Sequence, residues 1–166
     1  MKTDIAKIYR EDQLDRARIN PNDFEEIIKR DTARQKEVLK LLKIGKIKTG
    51  KEFYLAAIIF QHGQKLSDYR RAIRLAQQAA KNGYKKGRYL EALAIDRLLV
   101  ASGKKQRFGT QFFQKNLRSK YILCPVNPKT TDDERKKYGL PPLSKLSKKV
   151  DLLNKDKQKR RVSASG

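Results

Sequence analysis

Asp12, Asp15 and Arg16 fall within five residues, Asp31 and Arg34 within four, and Asp96 is followed at once by Arg97. His62, the single histidine, stands at the end of the most apolar segment. Read as helices, these positions interrupt apolar stripes. Asp12 and Arg16 lie in the middle of the stripe 5, 8, 9, 12, 16, 19, with Asp15 adjoining. Asp31 and Gln35 interrupt the stripe 24, 28, 31, 35, 38, 42, with Arg34 beside them. Asp96-Arg97 is set between Ala92-Leu93-Ala94-Ile95 and Leu98-Leu99-Val100. A lone buried charge costs several kcal/mol, so these groups must pair or meet water in a cleft.

Two chemistries fit. One is a structural ion-pair network, with Asp31 or Asp96 joined to Arg16 or Arg34. The other is a polar pocket in a helical bundle. There the candidates Asp12, Asp15, Asp31, His62 and Asp96 would do general acid/base work or hold a divalent cation. His62 alone fits a plainer role as a helix C-terminal cap. One His and one Cys exclude a zinc site built from those ligands, and nothing in the sequence calls for a cofactor. No nucleophile elbow, phosphate-cradling glycine loop, HExxH or CxxC is present. Gln106-Arg107-Phe108-Gly109-Thr110-Gln111 is a second candidate. It is either a tight turn into a strand, with Gly109 supplying unusual backbone angles, or the mouth of the pocket, lined by Arg107, Thr110 and Gln111. Arg16, Arg34 and Arg97 complete the candidate binding set.

The elements that must position these groups are mostly helical. The first helix spans Asp4 to Ile19. Asn20-Pro21-Asn22-Asp23 breaks it, and Asn22 or Asp23 caps the next, about Phe24 to Ile44, which Gly45 stops. Thr49 and Glu52 form a capping box ahead of Phe53–Phe60, which is apolar nearly all round and therefore central. Ser67 caps a fourth helix to Asn82, and a fifth runs from Lys86 to Ala101. Phe108–Cys124 reads as a small β-hairpin ended by Pro125. Thr131 caps a short helix, and Leu143, Leu146, Val150 and Leu153 mark a last amphipathic one. The expected fold is a mainly α, compact bundle, one domain over residues 1–154 with a disordered basic tail over 155–166. Ala72, Ala76, Ala79, Ala80, Ala92 and Ala94 give residues 50–101 a likeness to tetratricopeptide-like helix pairs.

Charge points to partners. The 166 residues carry 41 basic and 18 acidic side chains, net +23. Residues 101–166 hold 18 of the basic and 5 of the acidic ones. Lys155, Lys157, Lys159, Arg160 and Arg161 stand against Asp156 in a run with no apolar residue. Such a segment attracts polyanions without reading sequence. The partner expected is an acidic protein or non-specifically bound nucleic acid. No apolar run approaches the roughly 20 residues of a membrane span, and a lone cysteine fits a reducing cytoplasm.

Several segments occur together and in order. They are Asp12-Gln13 to Arg16, Arg30-Asp31 to Arg34, Ile59-Phe60-Gln61-His62-Gly63, Ala94–Leu99, Gln106–Gln111, Pro125-Val126-Asn127-Pro128 and Tyr138–Leu143. Across residues 10–147 the chain resembles a family of bacterial proteins known as a domain of unknown function. The resemblance implies a mainly helical domain and carries over no activity or substrate. The family's recurring polar residues fall on Asp12, Asp15, Arg16, Asp31, Arg34, His62, Asp96, Arg97 and Gln111. Two function classes follow. One is a binding or scaffold module that engages an acidic partner through its basic surface. The other is a pocket enzyme, hydrolytic or metal-dependent, built on the Asp/His/Arg cluster.

Overall fold

A computed structural model describes residues 4–18, 23–116 and 119–163; of Ser147 and of residues 159–163 it describes the backbone. The elements run α1 (Ile5–Ala17), α2 (Phe24–Lys43), α3 (Gly50–Gln61), α4 (Leu66–Lys81), α5 (Lys86–Ala101), β1 (Phe112–Phe113), β2 (Ile122–Leu123), α6 (Asp132–Lys137) and α7 (Leu146–Ser163). The chain is mainly helical, with one small antiparallel hairpin that pairs Phe112 with Leu123 and Phe113 with Ile122.

α3 is the centre. The Thr49 hydroxyl accepts from the Glu52 amide, while the Glu52 carboxylate accepts from the Thr49 amide, closing the expected capping box. From Leu55 to Gln61 every residue is buried. α1, α2, α4 and α5 all pack on this helix. A helix that is apolar all round can satisfy every face only in such a position. The small-residue seam serves the α4–α5 contact. A Cβ added to Gly87 would lie 2.6 Å from the Ala76 carbonyl and from the Ala80 nitrogen. Ala72, Ala76 and Ala79 are fully buried beside it. A second, smaller core joins Ala92, Phe108 and Leu140, with Tyr138 against the Phe108 ring at 4.6 Å.

Several expectations are corrected. The buried face of α2 is 27, 31, 34, 38, 41, one step from the stripe drawn through Phe24 and Leu42, and Phe24 is exposed. Asp31 lies on both faces, and Arg34, placed beside the stripe, is in the buried one. Asp23 precedes α2 without a side-chain cap. Ser67 lies inside α4; Asp68 instead accepts from the Lys65 amide, 3.1 Å, at its start. The hairpin is confined to residues 112–123, because residues 106–111 wrap around a buried carboxylate described below. α7 continues through Ser163, so the backbone is helical where an unstructured tail was expected from Lys155. Its Lys- and Gln-rich run has good helix formers at nearly every position, which suits extension of a helix already nucleated on the hairpin. Ile19, Asn20, Pro21, Asn22 and residues 164–166 lie outside the described residues, as do the side chains of Lys159, Arg160 and Arg161.

Candidate functional site

The cluster forms where α1 crosses α2 and meets the C-terminal end of α3. Asp12 and Asp31 sit on inward faces, so their carboxylates have to be satisfied by what those helices meet. Asp31 is shared by two guanidiniums. Arg16 Nη2 lies 2.5 Å from Asp31 Oδ2, and Arg34 Nη2 donates to Asp31 Oδ1 at 2.8 Å. Arg34 Nη1 donates to Asp15 Oδ2 at 2.6 Å, and Arg30, not anticipated, lies 3.2 Å from the same oxygen. Burial pushes the Arg34 pKa down, but Asp31 and Asp15 together outweigh it and hold the guanidinium above its usual value. This half of the cluster is a paired network, as the ion-pair expectation had it for Asp31.

The other half opens towards solvent. Asp12 is 0% exposed, and its Oδ1 lies 2.9 Å from Nδ1 of His62. His62 follows α3 at the C-cap position, with Gly63 behind it, where a Cβ would lie 2.4 Å from an Asp68 oxygen and 2.6 Å from Gln35 Nε2. Burial raises the Asp12 pKa, but the hydrogen bond and charge of His62, with help from Gln13 and Arg16, bring it below its ordinary value. The stabilisation from Asp12 is complete above its unfolded value of about 3.8 and is lost as pH falls through the lower folded value. Asp12→Asn is therefore expected to lose less stability than the native chain between pH 5 and pH 2.5. Urea midpoints at the two pH values measure this, and equal losses in both chains would show that Asp12 contributes nothing to acid sensitivity.

Arg97 approaches from α5. Its Nη1 donates to the Gln61 carbonyl at 2.8 Å, and its Nε lies 3.4 Å from Gln111 Oε1. Among the described residues no carboxylate lies within 4 Å of it. Burial lowers the Arg97 pKa; Tyr69 opposes that and the nearby Arg16 charge adds to it.

Asp96 does not join the cluster. From the opposite side of α5 its Oδ1 accepts from the backbone amides of Arg107 and Phe108, at 2.7 and 2.8 Å. Its Oδ2 accepts from the Thr110 amide and hydroxyl, both at 2.9 Å. A fully buried carboxylate is thus satisfied by a loop rather than by Arg16 or Arg34. Gln106 braces the same loop through Gln111 and Cys124 backbone groups. Its burial within a polar run gave no hint in the sequence. Gly109 takes φ +75°, the left-handed region expected of it, with Leu146 Cδ1 2.5 Å from where a Cβ would sit. Arg107 turns away to Glu134 and over the Phe108 ring, so it lines no pocket with His62. Thr110 is spent on Asp96; Gln111 alone of the three reaches Arg97.

The basic C-terminal part forms a second site. Asn154 holds α7 to the hairpin by accepting from the Tyr121 amide at 2.7 Å and donating to the Tyr121 carbonyl at 3.1 Å. Lys157 donates to the Ser119 carbonyl at 2.5 Å and lies over the Tyr121 ring, and Lys149 lies over Phe112. Between the two elements runs a groove of about 660 Å³ lined by Lys120, Lys155 and Lys157 with Ser119, Asp151, Asn154 and Gln158. Phe113 and Ile122 on the hairpin are 51% and 56% exposed. Asn154 was not anticipated; the polar residue following Leu153 in the apolar stripe was its only signal.

Among the described residues no group of three or more His, Cys, Asp or Glu side chains is placed to hold a metal ion, and no helix is long and apolar enough to cross a membrane. No family model, curated protein or solved structure matches the chain.

Proposed function

We propose that the protein is a binding module for polyanions, nucleic acid above all, and that the face shared by the hairpin and α7 is where it binds. One observation carries the reading. Lys120 from the hairpin and Lys155 and Lys157 from α7 line one groove with Asp151 as the one acidic residue in its lining, and in the sequence the stretches 112–123 and 146–163 that carry them hold ten basic and two acidic residues. Lysine heads can neutralise phosphates there. Lysine contacts to phosphate carry no sequence information, so binding is expected to be indifferent to sequence. The salt dependence measures it. Each phosphate neutralised adds about 0.9 to the log–log slope on duplex DNA. A chain carrying Gln at Lys120, Lys155 and Lys157 is expected to bind a short duplex more weakly, with a slope shallower by about 2–3. An unchanged slope removes this face from the interaction. Polyglutamate that competes as well as DNA at equal charge would assign the face to acidic proteins.

The enzyme alternative draws on the Asp12–His62 pair. A buried carboxylate that holds Nδ1 of an imidazole fixes the ring and leaves Nε2 to exchange a proton with a substrate.

A further inference from the structure

Away from the basic groove, the open end of the polar cluster contains donors with nothing to receive them. Arg97 reaches the Gln61 carbonyl with Nη1 and Gln111 with Nε, while its Nη2 has no hydrogen-bond partner among the described residues. His62, next in sequence to Gln61, uses Nδ1 on Asp12 and has no described partner on Nε2. Arg16 closes the other side, its Nε 3.4 Å from the His62 ring. The guanidiniums of Arg16 and Arg97 therefore flank the same two residues at the end of α3. His62 and Arg16 side chains are 22% and 25% exposed, so a solute can reach them.

The charges do not balance here. Asp12, Asp15 and Asp31 face Arg16, Arg30, Arg34 and Arg97. Each of the three carboxylates is engaged by at least one of the first three arginines, whereas Arg97 has no carboxylate within 4 Å among the described residues. Leaving a half-buried guanidinium without a counter-ion is costly unless a ligand supplies one. The imidazole Nε2, when protonated, and the guanidinium fork both donate, and an oxyanion is the group that accepts from both. A phosphate carries more oxygens and more charge than a carboxylate, and so suits donors arriving from α1, α3 and α5 together.

We propose that Arg97, His62 and Arg16 form a binding site for a single phosphate or phosphate ester group, with Arg97 as its principal counter-ion. This site is independent of the hairpin–α7 face. It differs in kind as well, since it holds one oxyanion in a fixed place rather than a string of phosphates along a groove.

The single histidine makes the test direct, because its imidazole proton signals in an NMR spectrum need no assignment. Inorganic phosphate is titrated into the full chain at constant pH and ionic strength, with sodium chloride making up the difference. Saturable shifts of the His62 signals at millimolar phosphate are expected. Arg97→Gln is expected to weaken the fitted affinity at least tenfold, while Arg107→Gln, which alters an exposed guanidinium elsewhere, leaves it unchanged. Acetate at the same concentration is expected to shift the signals far less. Three results each overturn the proposal: no saturable shift in the native chain, equal affinity in Arg97→Gln, or an acetate response equal to that of phosphate. Arg97→Lys guards against misfolding in the Gln variant. It keeps the charge but loses the fork, and an affinity between the two supports the site. An unchanged salt slope in the groove variants, beside a saturable His62 response to phosphate, would overturn that function and leave this one standing.

Discussion

Asp96→Ala is expected to lower the free energy of unfolding by about 3–6 kcal/mol. The substitution leaves the amides of Arg107, Phe108 and Thr110 without their acceptor in a fully buried place. Each buried unsatisfied donor costs about 1–3 kcal/mol. Asp96→Asn keeps one acceptor oxygen and is expected to lose roughly half as much, since it still serves two of the amides but brings its own donor towards the third. Urea unfolding gives the stability, and hydrogen exchange at the three amides gives the cause. A loss under about 1 kcal/mol with unchanged exchange would mean that the loop holds itself.

Asp31→Ala is expected to cost about 3–5 kcal/mol, by a different route. Arg16 and Arg34 lose the carboxylate they share, and Arg34 is buried with Asp15 as its remaining partner. Because the penalty lies largely in the stranded charge, Asp31→Ala combined with Arg34→Met is expected to cost at least about 1 kcal/mol less than the two single changes added together. Strict additivity in the double-mutant cycle would show that the groups are solvated individually rather than joined.

These two aspartates show what the sequence could and could not convey. Both interrupt apolar helical faces, so both read as buried carboxylates, and both are. Helical period fixes which way a side chain points along its own helix, and nothing about what arrives from elsewhere in the chain. Asp31 meets Arg16 from α1 as well as Arg34 one turn along its own helix. Asp96 meets a loop that follows its own helix, and no periodicity encodes loop amides. The Thr49–Glu52 capping box and the central place of α3 were legible because they depend on residues within four positions or on uniform apolarity. The phase of α2 slipped because Phe24 is apolar yet exposed, and its buried face carries Asp31 and Arg34 in place of hydrophobic residues. His62 was legible as a candidate by its position, but its bond to Asp12, fifty residues away, was not. The basic run from Lys155 was legible as charge. That it forms part of a helix beside the hairpin depends on Asn154 and Lys157 finding the backbone of Tyr121 and Ser119, which are 33 and 38 residues away.

The claim that polyanions bind along the hairpin and α7 can be mapped residue by residue. Amide signals of the full chain are followed by NMR while a short DNA duplex is added at low salt. The perturbations are expected to concentrate in residues 112–123 and 146–163, with Lys120, Tyr121, Asn154 and Lys157 among the largest, and to vanish as salt is raised. Perturbations spread evenly over the lysines and arginines of α2, α4 and α5, or centred on any of those helices, would contradict it.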